Sequence, residues 1–465
     1  MKTTRRSFLK LGALAAGSAL AFPSVLRSAG DPRSPNTGKL NLALIGTGGR
    51  GVNMCRDMVQ LADHADIAAI CDVDPHRGNA GGKYIKERWP GVRFYQDYRK
   101  LLDTEKTIQA VIVTTPDHMH APISMLAMSR GLHVFCEKPL TRTIREARRM
   151  RQIAADSKVV TQMGSQSSIN LFLRRSIEVI QAGVIGDITD VIVWCDRKPA
   201  LPPGGAKTEM PKDMDWQTWL GVAPDAPFDH RLHPHRWRWW TQYGTGPLGD
   251  MGCHLTNLAH RALDLGVPEK IDVLKLGPPP APGMFPKGSH LVYHFPRLNH
   301  RPPLKLTWYD GGWAPPKDLF AQHGLEAKYD DRKGSEKMII GAKGLIYGDS
   351  YIKLHGEEKL LGIMNHPATK DVPQRLPRPK RQGTDGHYLE WMQACLARDP
   401  AAACAGFETS SRQTEMVLLG TLAQRLGRSI RWDPVKMEIP GEPAAPALIT
   451  PAYRPGYTIR PDSGP

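Results

Sequence analysis

Three side chains in the sequence have types that could support the oxidation of an alcohol. Lys138 lies in a Glu-Lys-Pro run at 137–139, and Asp250 and His254 follow a glycine-rich stretch at 244–249. Asp250 and His254 are four residues apart, so on a helix they share one face. When a hydroxyl group gives up a hydride, a neighbouring group has to take its proton. A lysine, an aspartate and a histidine that converge beside a hydride acceptor suit that reaction.

Each of these side chains also has a purely structural interpretation. Lys138 could be a solvated strand end, since lysine is usually exposed. His254 could be a core histidine, and Asp250 could cap the start of a helix. The joint presence of all three, in this order, favours the catalytic interpretation.

A glycine loop near the start of the chain predicts the hydride acceptor. Gly46, Gly48 and Gly51 match the GxGxxG spacing, after the apolar run Leu40–Ile45 and before a helical stretch at 52–61. The first glycine makes a tight turn, the second lets the backbone approach a pyrophosphate, and the third permits close packing of helix on strand. The phosphates then lie at the positive end of the helix.

Asp72 predicts that the ligand of this loop is NAD. It ends the apolar run Asp66–Cys71, where a carboxylate binds the adenosine ribose hydroxyls and repels a 2′-phosphate. Arg50 and Arg77 keep NADP possible as the cofactor, because either could meet that phosphate. A glycine turn followed by a capping aspartate is the structural alternative.

The remaining candidate residues lie at strand ends and before the Asp250 helix. The predicted cofactor site comprises Gly46, Gly48, Gly49, Arg50, Gly51, Asp72, Thr115, Pro116, His118, Glu137 and Lys138. The predicted substrate site comprises Lys138, Trp237, Asp250 and His254. Trp237 belongs to an Arg-Trp-Arg-Trp-Trp run, in which tryptophan could stack on a sugar ring and arginine could grip an acidic group; packing between domains is the alternative. We predict no metal site, because the clustered histidines lack a carboxylate or cysteine to complete a ligand set.

Alternating strand and helix patterns predict how these residues are held. We predict a fold of the α/β class whose N-terminal domain, at 39–165, is a Rossmann domain with a doubly wound parallel sheet. Its predicted strands are Leu40–Ile45, Asp66–Cys71, Ala110–Thr114, His133–Cys136 and Val159–Met163, with a helix over Leu140–Asp156. Residues 166–432 predict an α+β domain with a largely antiparallel, open-faced sheet. Residues 433–465 form a proline-rich tail that we expect to extend over the surface.

The first 30 residues predict export from the cytoplasm. The run Thr4–Lys10 carries a twin-arginine signature, and an apolar stretch, Leu11–Phe22, follows it. That stretch is shorter than the roughly 20 residues of a membrane span. We therefore expect the twin-arginine export machinery as a partner and a periplasmic or otherwise exported location; a basic N-terminus or a lipid-surface anchor is the alternative.

Composition limits the other functions that this chain could have. The net charge is +16, but no basic run carries the aromatic spacing of a nucleic-acid-binding motif, so we predict no nucleic-acid partner. The seven cysteines form no CxxC pair and are odd in number, which predicts neither a disulfide framework nor a zinc site.

These motifs together resemble the Gfo/Idh/MocA family of oxidoreductases. The resemblance covers roughly Lys39 to Trp432 and implies an NAD(P) cofactor, a sugar, polyol or related cyclic alcohol as substrate, and a homo-oligomer built on the second domain. It implies that Lys138 hydrogen-bonds the reacting hydroxyl, that His254 is the general acid and base, and that Asp250 orients the substrate or His254. It also implies a cis peptide bond between Lys138 and Pro139.

The sequence leaves two other functions open. Some members of the family retain NAD and cleave glycosides through a transient keto-sugar, but the Glu-Lys-Pro form favours a dehydrogenase. A non-catalytic sensor of sugar or cofactor is disfavoured by the intact Lys138, Asp250 and His254. Because the twin-arginine route carries folded proteins, we expect the cofactor to be bound tightly before export and the hydride to return to the same or another substrate.

Overall fold

The computed structural model describes residues 38–200, 209–298, 301–328 and 334–457. The predicted export signal over residues 1–30 lies outside these ranges. Within the described part of the chain, no helix is both long and apolar enough to cross a membrane.

The first domain is built on a six-stranded sheet with the strand order β3-β2-β1-β4-β5-β6. All neighbouring strands run parallel. Strands β1 to β6 comprise Leu40–Ile45, Ala65–Cys71, Arg93–Tyr95, Ala110–Val113, His133–Cys136 and Thr161–Met163. Helices α1 to α5 comprise Arg50–Gln60, Pro75–Arg88, Tyr98–Thr104, Asp117–Ser129 and Ile144–Ser157. The predicted doubly wound parallel sheet is confirmed.

Apolar runs without alternation form the central strands because helices cover both faces of the sheet. Leu42, Ala43 and Leu44 follow one another along β1, and all three are fully buried although they point to opposite faces. The edge strand β3 escaped prediction, because only three residues form it and two of them are exposed.

The second domain contains a nine-stranded sheet with the order β14-β13-β12-β11-β7-β10-β9-β8-β15. Strands β7 to β15 comprise Ile188–Trp194, Lys270–Leu276, Ser289–Phe295, Leu304–Tyr309, Glu336–Gly341, Gly344–Tyr347, Tyr351–Leu354, Leu361–Gly362 and Ile430–Arg431. Helices α6 to α13 comprise Leu171–Gln181, Trp216–Leu220, Gly246–Leu255, Asn257–Leu263, Lys317–Gln322, Gly383–Ala397, Phe407–Leu426 and Ala445–Ile449. Only β7 and β10 pair in parallel, so the predicted largely antiparallel sheet is confirmed.

Two helices begin at other residues than the sequence pattern predicts. Helix α5 begins after Thr143, whose side chain accepts from the Glu146 N–H while Glu146 accepts from the Thr143 N–H. Helix α8 begins at Gly246 with Pro247 in its first turn, so Asp250 lies inside the helix and does not open it. Asp250 and His254 still lie one turn apart.

A late helix completes the core of the first domain. Helix α11 packs Tyr388 and Trp391 against Phe135 of β5, with the Phe135 and Tyr388 rings 4.5 Å apart. Residues 383–397 therefore cover a face of the first sheet, although in sequence they lie within the second domain. Local patterning cannot reveal such a contact.

The segment after residue 432 is packed rather than merely extended over the surface. Ala445 and Ile449 of α13 are almost fully buried. Arg454 Nε donates to the Gly221 carbonyl at 3.0 Å, next to α7. The tail therefore ties down the loop that borders the cleft described below.

Candidate active site

A cleft of about 920 Å³, open to solvent, lies at the carboxyl edge of the first sheet. The glycine loop after β1 and the ends of β2 and β4 form one wall, and residues 233–238 of the second domain contribute to the other. In open α/β sheets, ligands bind at this edge where the strand order reverses, which here is between β1 and β4.

The glycine loop fits tightly against the end of β4. Gly46 has a φ of +88°, and a Cβ atom there would lie 2.8 Å from the Thr114 carbonyl. A Cβ atom on Gly51 would lie 2.1 Å from the Gly46 carbonyl oxygen. Both positions therefore require glycine on steric grounds, and the loop leaves its backbone open toward the cleft.

Asp72 holds the glycine loop and lines the cleft at the same time. Its Oδ2 accepts hydrogen bonds from the backbone N–H groups of Thr47 at 2.9 Å and Gly48 at 3.0 Å. Its Oδ1 accepts from the Asp74 N–H at 3.1 Å. Burial raises the pKa of Asp72, and these three N–H groups oppose the rise. The Asp72 carboxylate therefore fixes the conformation of the glycine loop.

Arg50 and Glu137 form an ion pair beneath the loop. Arg50 Nε donates to Glu137 Oε1 at 2.9 Å, and Gln166 Nε2 donates to the same oxygen at 3.2 Å. Burial would raise the pKa of Glu137, but Arg50 and Lys138 outweigh it and lower the pKa. Arg50 lines the cleft, whereas Glu137 stands behind it, so Glu137 supports the predicted cofactor site through Arg50.

Lys138 and Asp250 meet although 112 residues separate them in the chain. Lys138 Nζ donates to Asp250 Oδ1 at 2.7 Å and to the Asp250 carbonyl at 2.9 Å, and Arg238 Nε lies 3.9 Å from the same Oδ1. Burial would raise the pKa of Asp250, but Lys138 and Arg238 lower it to about 2. The Lys138–Pro139 peptide bond is cis, as predicted.

His254 lies beside this pair as a neutral imidazole. Burial, assisted by the charge of Lys138, lowers the pKa of His254 to about 4. Among the described residues no hydrogen bond reaches its ring, so Asp250 does not orient it. Asp250 was expected to orient either the substrate or His254. In the structure its carboxylate instead positions Lys138.

His120 is a functional candidate that the sequence did not single out as such. Its Nδ1 lies 2.8 Å from the Pro139 carbonyl oxygen and its Nε2 lies 2.8 Å from the Thr115 carbonyl oxygen. Carbonyl oxygens only accept, so both ring nitrogens have to carry a proton. Burial lowers the pKa of His120, but Cys136, Asp117 and the Pro139 carbonyl raise it to about 10. A buried imidazolium thus joins the loop after β4 to the Lys138 loop.

The residues predicted after β4 divide into two groups. Thr115 and Pro116 line the cleft. His118 is fully buried, with Nε2 2.9 Å from the Trp219 carbonyl, and burial lowers its pKa to about 3. His118 therefore supports the wall of the cleft and does not face its interior. Trp237 lines the cleft, with the Arg238 guanidinium 4.2 Å from its ring centre.

Two regions of the chain match models of one family. Residues 40–165 match the Gfo/Idh/MocA model described as an oxidoreductase family, NAD-binding Rossmann fold. Residues 194–271 match the model described as the C-terminal alpha/beta domain of that oxidoreductase family. The two matched regions are similar to the two domains of the Gfo/Idh/MocA family. The first domain is accordingly an NAD-binding Rossmann domain.

Curated relatives of the family match over limited stretches. A glycosyl hydrolase family 109 protein of Stenotrophomonas maltophilia is 35% identical over 143 residues, which are 29% of this chain and 29% of the relative. An inositol 2-dehydrogenase of Salmonella typhimurium is 27% identical over 149 residues, which are 32% of this chain and 43% of the relative. The chain therefore spans less than half the length of each of these relatives.

A solved structure of the same fold covers nearly the whole architecture. The inositol dehydrogenase homologue of Azotobacter vinelandii, complexed with NADH and myo-inositol, aligns with a TM-score of 0.57 at 19% identity. The alignment covers 85% of this chain and 98% of that one. At this identity the likeness establishes the fold.

The cleft at the glycine loop fits a dinucleotide. The glycine loop presents backbone where a Cβ atom has no room, as an approaching pyrophosphate requires. Two buried polar atoms at the cleft, Thr115 Oγ1 and Arg50 Nη2, have no hydrogen-bond partner within the described residues. Gly48, Gly49, Arg50, Asp72 and Thr115 would hold NAD.

One group of side chains in the described ranges could in principle hold a metal ion. His387, Glu390 and Cys404 bring their ligand atoms within 4.8 Å of one another. Arg174 Nη2, however, already donates to both Glu390 oxygens at 2.8 and 2.9 Å. The guanidinium supplies the positive charge there, and the group lies apart from the histidines weighed in the sequence.

Proposed function

We propose that this protein is an NAD-dependent oxidoreductase that acts on a hydroxyl group of a sugar, polyol or related cyclic alcohol. The observation that carries the proposal is the hydrogen-bonded pair of Lys138 and Asp250, with His254 beside it, next to the cleft of an NAD-binding domain. Such a constellation supplies a hydrogen-bond donor and a proton acceptor for one hydroxyl group.

The side chains divide the proton chemistry between them. Lys138, held by Asp250, donates a hydrogen bond to the hydroxyl oxygen and stabilises negative charge that develops there. His254 accepts the hydroxyl proton, because its lowered pKa of about 4 leaves it neutral at physiological pH. Bound NAD supplies the hydride acceptor. In the reverse direction the protonated His254 returns the proton to the new hydroxyl group.

Relatives with related activities support this proposal. The Salmonella typhimurium protein is named an inositol 2-dehydrogenase, and the Azotobacter vinelandii homologue was crystallised with NADH and myo-inositol. The second domain, which carries Asp250 and His254, is matched by a family model only over 194–271.

A second candidate function is redox-neutral cleavage of a glycoside. The observation that favours it is the 35% identity to a glycosyl hydrolase family 109 protein over 143 residues. Oxidation of a sugar hydroxyl acidifies the neighbouring C–H bond, elimination expels the leaving group, and the hydride returns after water adds. Lys138 and His254 could serve that sequence too. The Glu-Lys-Pro form favours the dehydrogenase.

We also propose that the protein works outside the cytoplasm as a homo-oligomer with tightly held cofactor. The twin-arginine run Thr4–Lys10 supports export in a folded, cofactor-loaded state. Tight retention would matter there, because free NAD is scarce outside the cell. A retained cofactor has to return its hydride to the same or a second substrate.

The deciding experiment incubates the natively purified protein, supplemented with NAD, with paired panels of free sugars, polyols and aryl glycosides. Formation of a keto-sugar without bond cleavage supports the oxidoreductase. Release of the aglycone without net reduction of NAD supports the glycoside-cleaving enzyme. If the protein binds NAD but neither forms a keto-sugar nor releases an aglycone, the catalytic proposal is contradicted and the non-catalytic sensor is favoured.

A further inference from the structure

Residues 213–238 of the second domain lie against the loop that follows β2 in the first domain. The Asp215 N–H donates to the Val73 carbonyl at 2.9 Å. Gln96 Nε2 donates to the Asp213 carbonyl at 2.7 Å. Val73 and Gln96 both line the cleft, so these two hydrogen bonds join the domains at its border.

A third contact, between His233 and Asp74, joins the domains at a buried position. The side chain of Asp74 is 1% exposed and that of His233 is 10% exposed. Asp74 Oδ2 lies 2.8 Å from His233 Nε2, while Asp74 Oδ1 accepts from the N–H groups of His76 and Arg77 at the start of α2. Burial lowers the pKa of His233, although the hydrogen bond to Asp74 opposes this effect, so the imidazole is neutral at physiological pH. Because a carboxylate only accepts, Nε2 carries the proton and Nδ1 does not.

His233 also lines the cleft, on the wall that the second domain contributes. Its Nδ1 is buried and has no hydrogen-bond partner within the described residues. Thr115 Oγ1 and Arg50 Nη2, from the wall of the first domain, are unpartnered in the same way. A buried polar atom without a partner is unfavourable, so both walls of the cleft leave polar atoms for a ligand.

The segment that carries His233 has an apolar cluster of its own. Trp219, Leu232 and Trp237 are buried together in this cluster, and Val73 of the first domain packs against it. The ring centres of His233 and Trp219 are 6.4 Å apart, with the rings edge to face. Packing therefore holds this wall of the cleft against the first domain.

We infer that residues 213–238 form a clasp that retains NAD, and that the hydrogen bond between His233 and Asp74 keeps the clasp closed. NAD bound at the glycine loop lies between the two walls that this bond joins. To leave, the cofactor has to part from both walls, and a bond that fixes their separation slows that step. The inference rests on the proposed function, in which the cofactor is retained, and names the residues that set its rate of release. His233 is a positioning residue and takes no part in the transfer of hydride.

The test measures how fast bound NAD exchanges on the full chain, purified with its cofactor or loaded with NAD. Isotope-labelled NAD is added in excess, and free nucleotide is removed at successive times. Mass spectrometry of the nucleotide released on denaturation then gives the fraction of bound NAD that has been replaced. This readout needs no substrate and no turnover.

The variants separate the hydrogen bond from the fold. His233→Ala removes the donor, whereas His233→Gln keeps an N–H donor the same number of bonds from Cβ. Asp74→Ser removes the acceptor of this bond but keeps a side chain that can cap α2. The matched control is His230→Ala, in the same segment, whose Nδ1 lies 4.0 Å from Asp229 and which does not line the cleft.

We expect NAD to exchange about tenfold faster in His233→Ala and in Asp74→Ser, as the loss of a hydrogen bond to a charged group implies. The double variant should exchange no faster than either single variant, because both changes break the same bond. His233→Gln and His230→Ala should stay within about twofold of the wild type, the variation expected when no hydrogen bond is lost. Asp74→Ser alone decides the question if His233→Ala lacks the native circular dichroism spectrum. Wild-type exchange in the folded variants, or fully additive effects in the double variant, would overturn the inference.

The same variants separate this inference from the proposed function. Turnover of a sugar or polyol, with wild-type exchange of NAD in every variant, would overturn the clasp and leave the oxidoreductase intact. Fast exchange confined to the variants that lose the bond, in a protein that oxidises no sugar or polyol, would support the clasp and contradict the oxidoreductase.

Discussion

The two ends of the cleft hold their charged groups in different ways. At the glycine loop, the Asp72 carboxylate is held by backbone N–H groups of Thr47, Gly48 and Asp74, all from the first two strand ends. At the substrate end, Lys138 and Asp250 hold each other, side chain to side chain, from different domains. One end is fixed by local backbone, whereas the other exists only when both domains are assembled.

This difference separates binding from chemistry within one site. Changes at the glycine loop should act on the affinity for NAD, because that loop contains no group that moves a proton. Changes at the Lys138 end should act on turnover and leave the affinity for NAD nearly unchanged. The following variants test that separation.

The largest effect is expected for Lys138→Ala. The variant removes the hydrogen-bond donor for the reacting hydroxyl, so kcat should fall by about 10³-fold, within the range for loss of a donor that stabilises a developing oxyanion. The dissociation constant for NAD should stay within about twofold, which fluorescence titration can check, because the loop near Asp72 is untouched. The control is Lys270→Ala, which breaks a surface pair with Asp272 at 2.8 Å. Unchanged turnover in Lys138→Ala would contradict the catalytic assignment.

A somewhat smaller effect is expected for Gly51→Ala, at the glycine-loop end of the cleft. Its Cβ atom would lie 2.1 Å from the Gly46 carbonyl oxygen, so the loop has to shift away from the phosphate position. We expect the affinity for NAD to fall about 100-fold, measured by calorimetry on protein whose circular dichroism shows a native fold. Gly91→Ala is the control, because nothing lies within 4 Å of a Cβ atom there. If Gly51→Ala bound NAD as tightly as the wild type, the proposed role of the glycine loop in binding the pyrophosphate would be contradicted.

Asp72→Asn should weaken the binding of NAD by about tenfold. The substitution keeps the size of the side chain but removes the charge that favours ribose hydroxyls and repels a 2′-phosphate. Affinity for NAD should fall and the ratio of NADP to NAD affinity should rise, while kcat at saturating NAD changes little. Asp66→Asn, at the opposite end of the same strand, serves as the control. An unchanged cofactor ratio would show that Asp72 serves only to hold the loop.

The smallest effect concerns the dependence of stability on pH. Burial lowers the pKa of His254 to about 4, whereas the unfolded chain takes up a proton on histidine near pH 6.5. Between these values the unfolded state binds more protons, so stability falls as the pH drops from about 6.5 to 4. His254→Gln should flatten the decline of Tm in that window by about a few degrees, measured by calorimetric scans, and the exposed His76→Gln should not. A decline equally steep in His254→Gln would contradict a neutral buried His254.

The sequence was informative where function depends on neighbours in the chain. Gly46, Gly51 and Asp72 could be identified because a strand, a turn and a helix follow one another within one contiguous unit. Lys138 and Asp250 were both candidates, but their direct contact was not predicted, because it is a property of the assembled domains. The resemblance to the family, and not the spacing, brought them together.

Long-range contacts explain what the sequence did not reveal. His120 carries no local signal of its charge, which follows from two carbonyl oxygens contributed by separate loops. Glu137 was predicted to contact the cofactor. In the structure it accepts a hydrogen bond from Arg50, 87 residues earlier, and so positions the arginine that lines the cleft. The cover that α11 provides for the first sheet is equally invisible, because its partner Phe135 lies about 250 residues earlier.

The most direct test of the central claim is to count the dinucleotide bound to the chain. Natively purified protein is denatured, the released nucleotide is identified by mass spectrometry, and any empty protein is titrated with NAD. The account predicts one NAD per chain, retained or bound on titration, and the same stoichiometry in Lys138→Ala. A protein that releases no dinucleotide and binds neither NAD nor NADP would contradict it.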